Sequence, residues 1–282
     1  MSKQRFRKIY IEITNRCNLH CDFCLASHRE VQDMDVEQFA YVLQAIRPYT
    51  DYIYLHVLGE PLCHPHLDQL LLIARQGGFQ VNMTTNGVFL PKQLPHLLNT
   101  LRQCNISLHS FPQHSHTDTY LTDCLMAGDR LANQGTYISY RFWNQRSQEN
   151  DPITITMLKQ ISEHYDVSLT AGISQKLTHN RFIHFDHPFH WPTLKAPLIA
   201  VQGHCYGLRS HCAILVDGTV VPCCLDGEGV CALGNVFTTP FADIIESSRA
   251  KQIVQGFQQG KLSEVLCQHC DYRCRFDKEE LC

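Results

Sequence analysis

Apolar residues recur along the first 170 positions in two alternating rhythms, every second residue and then every third or fourth. KIYIEIT (8–14) alternates with period two and reads as a strand. MDVEQFAYVLQAIR (34–47) has helical spacing, with Asp35 placed to cap it. YIYLHVL (52–58), FQVNMTT (79–85), CNISLHS (104–110) and TYISYRFWN (136–144) read as further strands, and VSLTAG (167–172) as a weaker sixth. Segments 66–78, 91–103, 119–135 and 155–165 between them read as helices, two of them closed by glycine.

Repeated βα units imply parallel strands with helices packed outside, and right-handed crossovers curl such a sheet into a barrel. Six units are visible, so the expected fold is α/β: a partial, TIM-like (β/α)6 barrel over residues 1–190. Chemistry in such barrels gathers at the C-terminal strand ends. Beyond residue 173 the rhythm breaks. A short hairpin is expected within 178–192, another over 213–224 turning at Asp217-Gly218, and one helix over 240–257. Residues 200–282 then form a small Cys-rich domain, a β-hairpin plus helix.

The 24 Lys and Arg nearly balance the 27 Asp and Glu, so no broad basic surface for nucleic acid is expected. No apolar signal core follows the basic N-terminus and no stretch approaches a membrane span, which points to the cytoplasm. Disulfides are disfavoured there. Yet the chain has 15 cysteines, most of them in two groups, Cys17–Cys24 and Cys205–Cys282. Cys63, Cys104 and Cys124 suit packing, whereas grouped thiols in a reducing compartment point to metal or redox chemistry.

The first group, NRCNLHCDFCL (15–25), spaces Cys17, Cys21 and Cys24 as C-x3-C-x2-C directly after the first strand. Structural zinc takes four protein ligands, one more than this motif offers. A [4Fe–4S] cluster held by three thiolates keeps one iron open to a small molecule. The motif, with Phe23 before its third cysteine, resembles that of the radical S-adenosylmethionine superfamily, in which the open iron binds the cofactor's amino and carboxylate groups. LGEPL (58–62) resembles the family's Gly-Gly-Glu-Pro element, with Leu58 replacing the first glycine. The resemblance implies that Gly59, Glu60 and Pro61 hold the methionyl amino group; a carboxylate suits an ammonium. It also implies cofactor contacts from Asn86 in TTNG (84–87), Ser107 and Arg141, at the ends of strands three, four and five. His56, His109 and Asp226 are candidate acids or bases.

The second group resembles the twitch domain, a truncated SPASM domain carrying one auxiliary [4Fe–4S] cluster. On its pattern Cys205, Cys223, Cys267 and Cys270 are the implied ligands, with Cys212 and Cys224 competing for two places. The run Cys267, Cys270, Cys274, Cys282 departs from a full SPASM pattern, so whether Cys274 and Cys282 hold a second auxiliary cluster stays open. A zinc knuckle built from the same thiols is the structural alternative.

The resemblance implies an enzyme: one-electron cleavage of S-adenosylmethionine to a 5′-deoxyadenosyl radical, hydrogen abstraction, and oxidation or bond formation assisted by the auxiliary cluster. An electron donor such as flavodoxin or ferredoxin is the implied partner. A peptide or protein side chain is the first expected substrate, and a small, sugar-like molecule undergoing dehydrogenation the second. The first strand begins near residue 8, so no fused leader-binding domain is expected, which weakens the peptide case without removing it. A non-enzymatic iron–sulfur or zinc module is the remaining alternative, though it would need no site for an amino-acid moiety.

Overall fold

The computed structural model describes residues 6–25, 27–113, 119–144 and 152–276. Its first half alternates as the pattern requires: β1 Lys8–Ile11, α1 Val36–Ile46, β2 Tyr52–Tyr54, α2 Leu67–Gln76, β3 Gln80–Thr85, α3 Leu90–Leu97, β4 Gln103–Ser107, α4 Tyr120–Asn133, β5 Tyr137–Phe142 and α5 Pro152–Tyr165. Asp35 and Gln38 form a reciprocal capping box that fixes where α1 starts. β1 to β5 pair in parallel, in chain order.

The sixth parallel strand is not at 167–172. The chain turns there, with Asp166 at φ 51° and Gly172 at φ 81°, and no residue from 166 to 172 is buried. The strand beside β5 is β7 Arg181–Phe185, reached through a hairpin with β6 Gln175–Thr178. RFIHF offers Ile183 and two phenylalanines that fill a pleated surface; VSLTAG has Val167 and Thr170 but no aromatic residue, and it ends in glycine. The hairpin expected within 178–192 therefore exists but begins at Gln175, turning at Asn180 with φ 59°. The single helix expected over 240–257 is two, α6 Phe241–Ile245 and α7 Ser248–Gln258. Ser247 splits them: its hydroxyl accepts from the Ala250 N–H and caps α7 instead of continuing α6. A short α8, Val265–Gln268, and a 3-10 turn at Tyr272–Phe276 follow.

β8 His211–Ile214 and β9 Thr219–Val221 form the expected hairpin, with Gly218 at φ 85° where a side chain would be strained. β8 pairs in parallel with β1, and β10 Gly234–Asn235 borders β9. The result is one ten-stranded sheet, ordered β10-β9-β8-β1-β2-β3-β4-β5-β7-β6. The partial barrel and the Cys-rich segment share it, whatever boundary is drawn between 190 and 200. Helices α1 to α5 bury Phe39, Leu70, Leu94, Leu125, Ile161 and their neighbours against its outer face. The inner face carries Lys8, Tyr10, Tyr54, Ser107 and Arg141 into a cavity. Among the described residues no helix is long and apolar enough to cross a membrane.

Candidate active site

The loop between β1 and α1 is stapled at its base and open at its top. Thr14 donates to Asp33 (2.6 Å), Asn15 donates to the Glu30 carbonyl (2.8 Å), and Arg16 pairs with Asp33 (3.1 Å). Beyond these bonds Cys17 and Cys24 are exposed, Cys21 is half-buried, and the Cys24 N–H turns back onto the Cys21 carbonyl at 2.9 Å. The three thiols crowd one another. Partial desolvation pushes Cys21 up to about 12, helped by the charges of Cys24 and Cys17, and Cys24 up to about 11, helped by Cys17. Thiolates that oppose one another's ionisation need a cation between them, so this donor set fits a bound cluster.

Glu12, which the sequence pattern does not single out, anchors this loop. Its buried carboxylate pairs with both Arg29 nitrogens (2.8 and 2.7 Å) and accepts from the Leu58 N–H (3.1 Å) and the Val216 N–H (3.0 Å). One side chain thereby joins the cysteine loop, the segment after β2 and the C-terminal hairpin. Burial drives Glu12 up; Arg29 is raised by Glu12 despite its own burial. The only sequence signal is an acidic residue inside an apolar strand.

Glu60 follows a close approach. Gly59 has φ 75°, and a Cβ there would lie 2.4 Å from the Thr14 carbonyl. Leu58 occupies space that a glycine would leave, packing so tightly on Gly227 that a Cβ on Gly227 would meet it at 2.8 Å. The buried Glu60 carboxylate accepts from Leu62 N–H (3.1 Å), Thr85 Oγ1 (2.7 Å) and Asn86 N–H (2.7 Å). Burial pushes it up to about 7 against the pull of these bonds. Pro61 opens the 3-10 turn Pro61–Cys63, and Asn86 reaches across to Asn18 in the cysteine loop at 2.8 Å.

Ser107 and Arg141 sit opposite each other on β4 and β5. Arg141 lies over the Trp143 ring at 4.8 Å, and its buried Nε has no partner among the described residues. Its phenolic neighbours are Tyr10, Tyr54 and Tyr272. His109 holds the Arg141 carbonyl at 3.1 Å, while burial lowers His109 to about 4 and His56 to about 3. Neither ring carries charge at neutral pH. Asp226 accepts from Val230 and Cys231 N–H at 2.8 and 2.7 Å, which makes it a loop staple first.

Cys205, Cys223, Cys267 and Cys270 line the same cavity, whose volume is about 840 Å³. Burial raises Cys223, with Cys224, Cys205 and Cys270 adding to it, so these thiols too are close enough to feel one another. Cys212 is fully buried in β8, paired across from Ile9 and away from the cavity. Cys224 turns to Tyr10 and Lys8. Cys231, absent from the ligand pattern although it follows Cys223 by eight residues, is buried and hydrogen-bonds Cys267. Cys274 lies in the last described turn, and Cys282 falls outside the described residues. Among the described residues no three Cys, His, Asp or Glu side chains stand close enough to clasp a single metal ion.

The family models for the radical SAM superfamily and for an iron–sulfur cluster-binding domain, SPASM, match residues 11–124 and 205–271. The chain belongs to the radical SAM superfamily and carries a C-terminal SPASM domain. The cofactors of that class are a [4Fe–4S] cluster, S-adenosylmethionine and auxiliary iron–sulfur clusters. Among curated relatives, it is 32% identical over 107 residues to the tungsten-containing aldehyde ferredoxin oxidoreductase cofactor-modifying protein of Pyrococcus furiosus, covering 36% of this chain and 29% of that one. It is 37% identical over 90 residues to the PqqA peptide cyclase of Streptomyces rochei, covering 30% and 24%. The chain thus spans less than a third of the length of these two proteins. The fold is similar to that of BtrN, solved in complex with AdoMet and 2-DOIA, with a TM-score of 0.62 at 16% identity over 95% of this chain and 94% of that one.

Proposed function

We propose that the chain abstracts a hydrogen atom from a substrate held between the two cysteine sets, and that oxidation or bond formation follows. A single cavity whose lining includes both Cys17, Cys21 and Cys24 and Cys205, Cys223, Cys267 and Cys270 supports this reading. When bound, the first cluster with S-adenosylmethionine supplies a hydrogen-abstracting radical, and an auxiliary cluster supplies a one-electron acceptor. The protein's share is to orient the target C–H bond and exclude water. In this reading Glu60 receives the methionyl amino group, Gly59 and Pro61 shape that loop, and Asn86, Ser107 and Arg141 complete the cofactor's cradle. A peptide or protein side chain is the first substrate class, supported by the likeness to a peptide cyclase. A small molecule is the second, favoured by a volume of about 840 Å³, within the range of small-molecule pockets. Anaerobic incubation of the iron-loaded protein with dithionite and S-adenosylmethionine tests the reaction class: 5′-deoxyadenosine is the expected product, and none from fully loaded protein would refute it.

Two variants test the residues. Glu60→Gln keeps the volume and one acceptor oxygen but removes the charge, where Ala would strand three buried donors. S-adenosylmethionine affinity, measured by calorimetry, should fall at least about tenfold while iron content is unchanged; equal affinity would remove Glu60 from the cradle. Cys267→Ala with Cys270→Ala should lower iron by about four per chain and keep 5′-deoxyadenosine formation, but lose product. Product at wild-type yield from a folded variant shown to lack that iron would reduce the C-terminal thiols to a scaffold.

A further inference from the structure

The cavity does not stop at the strand ends where the cofactor residues gather. Its lining also includes residues at the opposite, N-terminal ends of the same strands: Arg7 and Lys8 at β1, Tyr52 at β2, Arg102 before β4, and Ser210 and His211 at β8. Register puts Lys8 directly beside His211. The cavity therefore runs along the inner face of the sheet, and its two ends differ in charge.

The far end is basic and aromatic. Lys8 Nζ lies 5.1 Å from the Tyr10 ring centre and 5.0 Å from that of Tyr54. The Arg102 guanidinium lies 5.3 Å from the Tyr52 ring and 5.4 Å from the Tyr137 ring, and donates to Asn82 (3.0 Å) and Gln103 (3.2 Å). Arg7 stands beside Lys8 and is exposed. Among the described residues none of these three makes an ion pair. The only carboxylates lining the cavity among the described residues are Glu60 and Asp226, and both are taken up by N–H donors elsewhere. Burial lowers Lys8, Cys224 opposes that and Arg141 adds to it; an arriving anion would act in the same sense as Cys224. Among the described residues the cavity lining offers Arg7, Lys8 and Arg102 no carboxylate partner, and partly buried cations are costly unless a ligand supplies counter-charge.

We propose that this far end is an anion subsite, in which Lys8 and Arg102, with Arg7 at the rim, hold a carboxylate or phosphate of the substrate remote from the reacting C–H bond. The proposal deepens the functional reading above, because it places the substrate along the cavity with its anionic group at one end and its reactive carbon near Cys17–Cys24. The methionyl carboxylate of the cofactor belongs to the other end and should not compete.

Calorimetry on iron-loaded protein already saturated with S-adenosylmethionine tests this, at fixed ionic strength, with glutarate, inorganic phosphate and the neutral glutaramide as probes. Glutarate or phosphate should bind and glutaramide should not. Lys8→Gln and Arg102→Gln should each weaken the anion at least about tenfold, while S-adenosylmethionine affinity matches wild type. If one variant does not fold, the other decides. Equal anion affinity in wild type and variant, equal binding of glutaramide, no anion binding, or displacement of the anion by S-adenosylmethionine would each overturn the proposal. Anion binding lost in Lys8→Gln by a protein that forms no 5′-deoxyadenosine would leave the subsite standing and sink the functional reading instead.

Discussion

Glu12→Ala should destabilise the protein by about 3–5 kcal/mol, a large part of a typical domain's total stability. The carboxylate is fully buried and holds Arg29, Leu58 N–H and Val216 N–H at once. Removing it leaves a largely buried guanidinium and two N–H donors without their acceptor, each of which costs free energy that cannot be recovered from water. Urea unfolding of the iron-free protein measures this without interference from cluster loss. The companion double variant Glu12→Met, Arg29→Met should recover much of the loss, because two apolar side chains of similar size need no partners. A single-variant loss below about 1 kcal/mol would mean that Glu12 is solvated in the folded protein, contrary to its burial.

Replacing Cys17, Cys21 and Cys24 together with Ala should abolish 5′-deoxyadenosine formation and lower iron from about eight to about four per chain. The three thiols stand on the open top of a loop whose base is held by Thr14, Asn15, Arg16 and Asp33, so the variant should fold. Loss of iron without loss of stability is the expected signature, read by iron analysis beside thermal unfolding. Full iron content in this variant would mean that the two cysteine sets do not hold separate clusters.

Much of this is legible in the sequence because the chemistry sits in local spacing. Cys17, Cys21 and Cys24 fall within eight residues, and Glu60 lies just past an alternating strand, where barrel chemistry gathers. What stays hidden depends on register. Glu12 reads as one polar position in KIYIEIT; only the pairing of β1 between β2 and β8 makes it a junction. Lys8 and Arg102 lie 94 positions apart and meet one cavity because the strand starts align. The sixth strand lies later than the pattern suggests because VSLTAG alternates only weakly, while RFIHF stands in a His-rich stretch that reads as a short hairpin and not as part of the parallel sheet. Cys231 is obscured by the adjacent pair Cys223-Cys224.

The parallel pairing of β8 with β1 has a mechanical consequence. A chain cut after residue 190 would bare the backbone edge of Lys8–Ile11, with Ile9 and Ile11 beside it, and such an edge invites pairing with other molecules. The C-terminal unit therefore acts as edge protection for the barrel. The same pairing ties the hairpin that leads to Cys223 to the strand that leads to Cys17: four consecutive register pairs run from Lys8 with His211 to Ile11 with Ile214. The span across the cavity behaves as a ruler set by strand geometry, so substrates of different length must be fitted by the side chains along it.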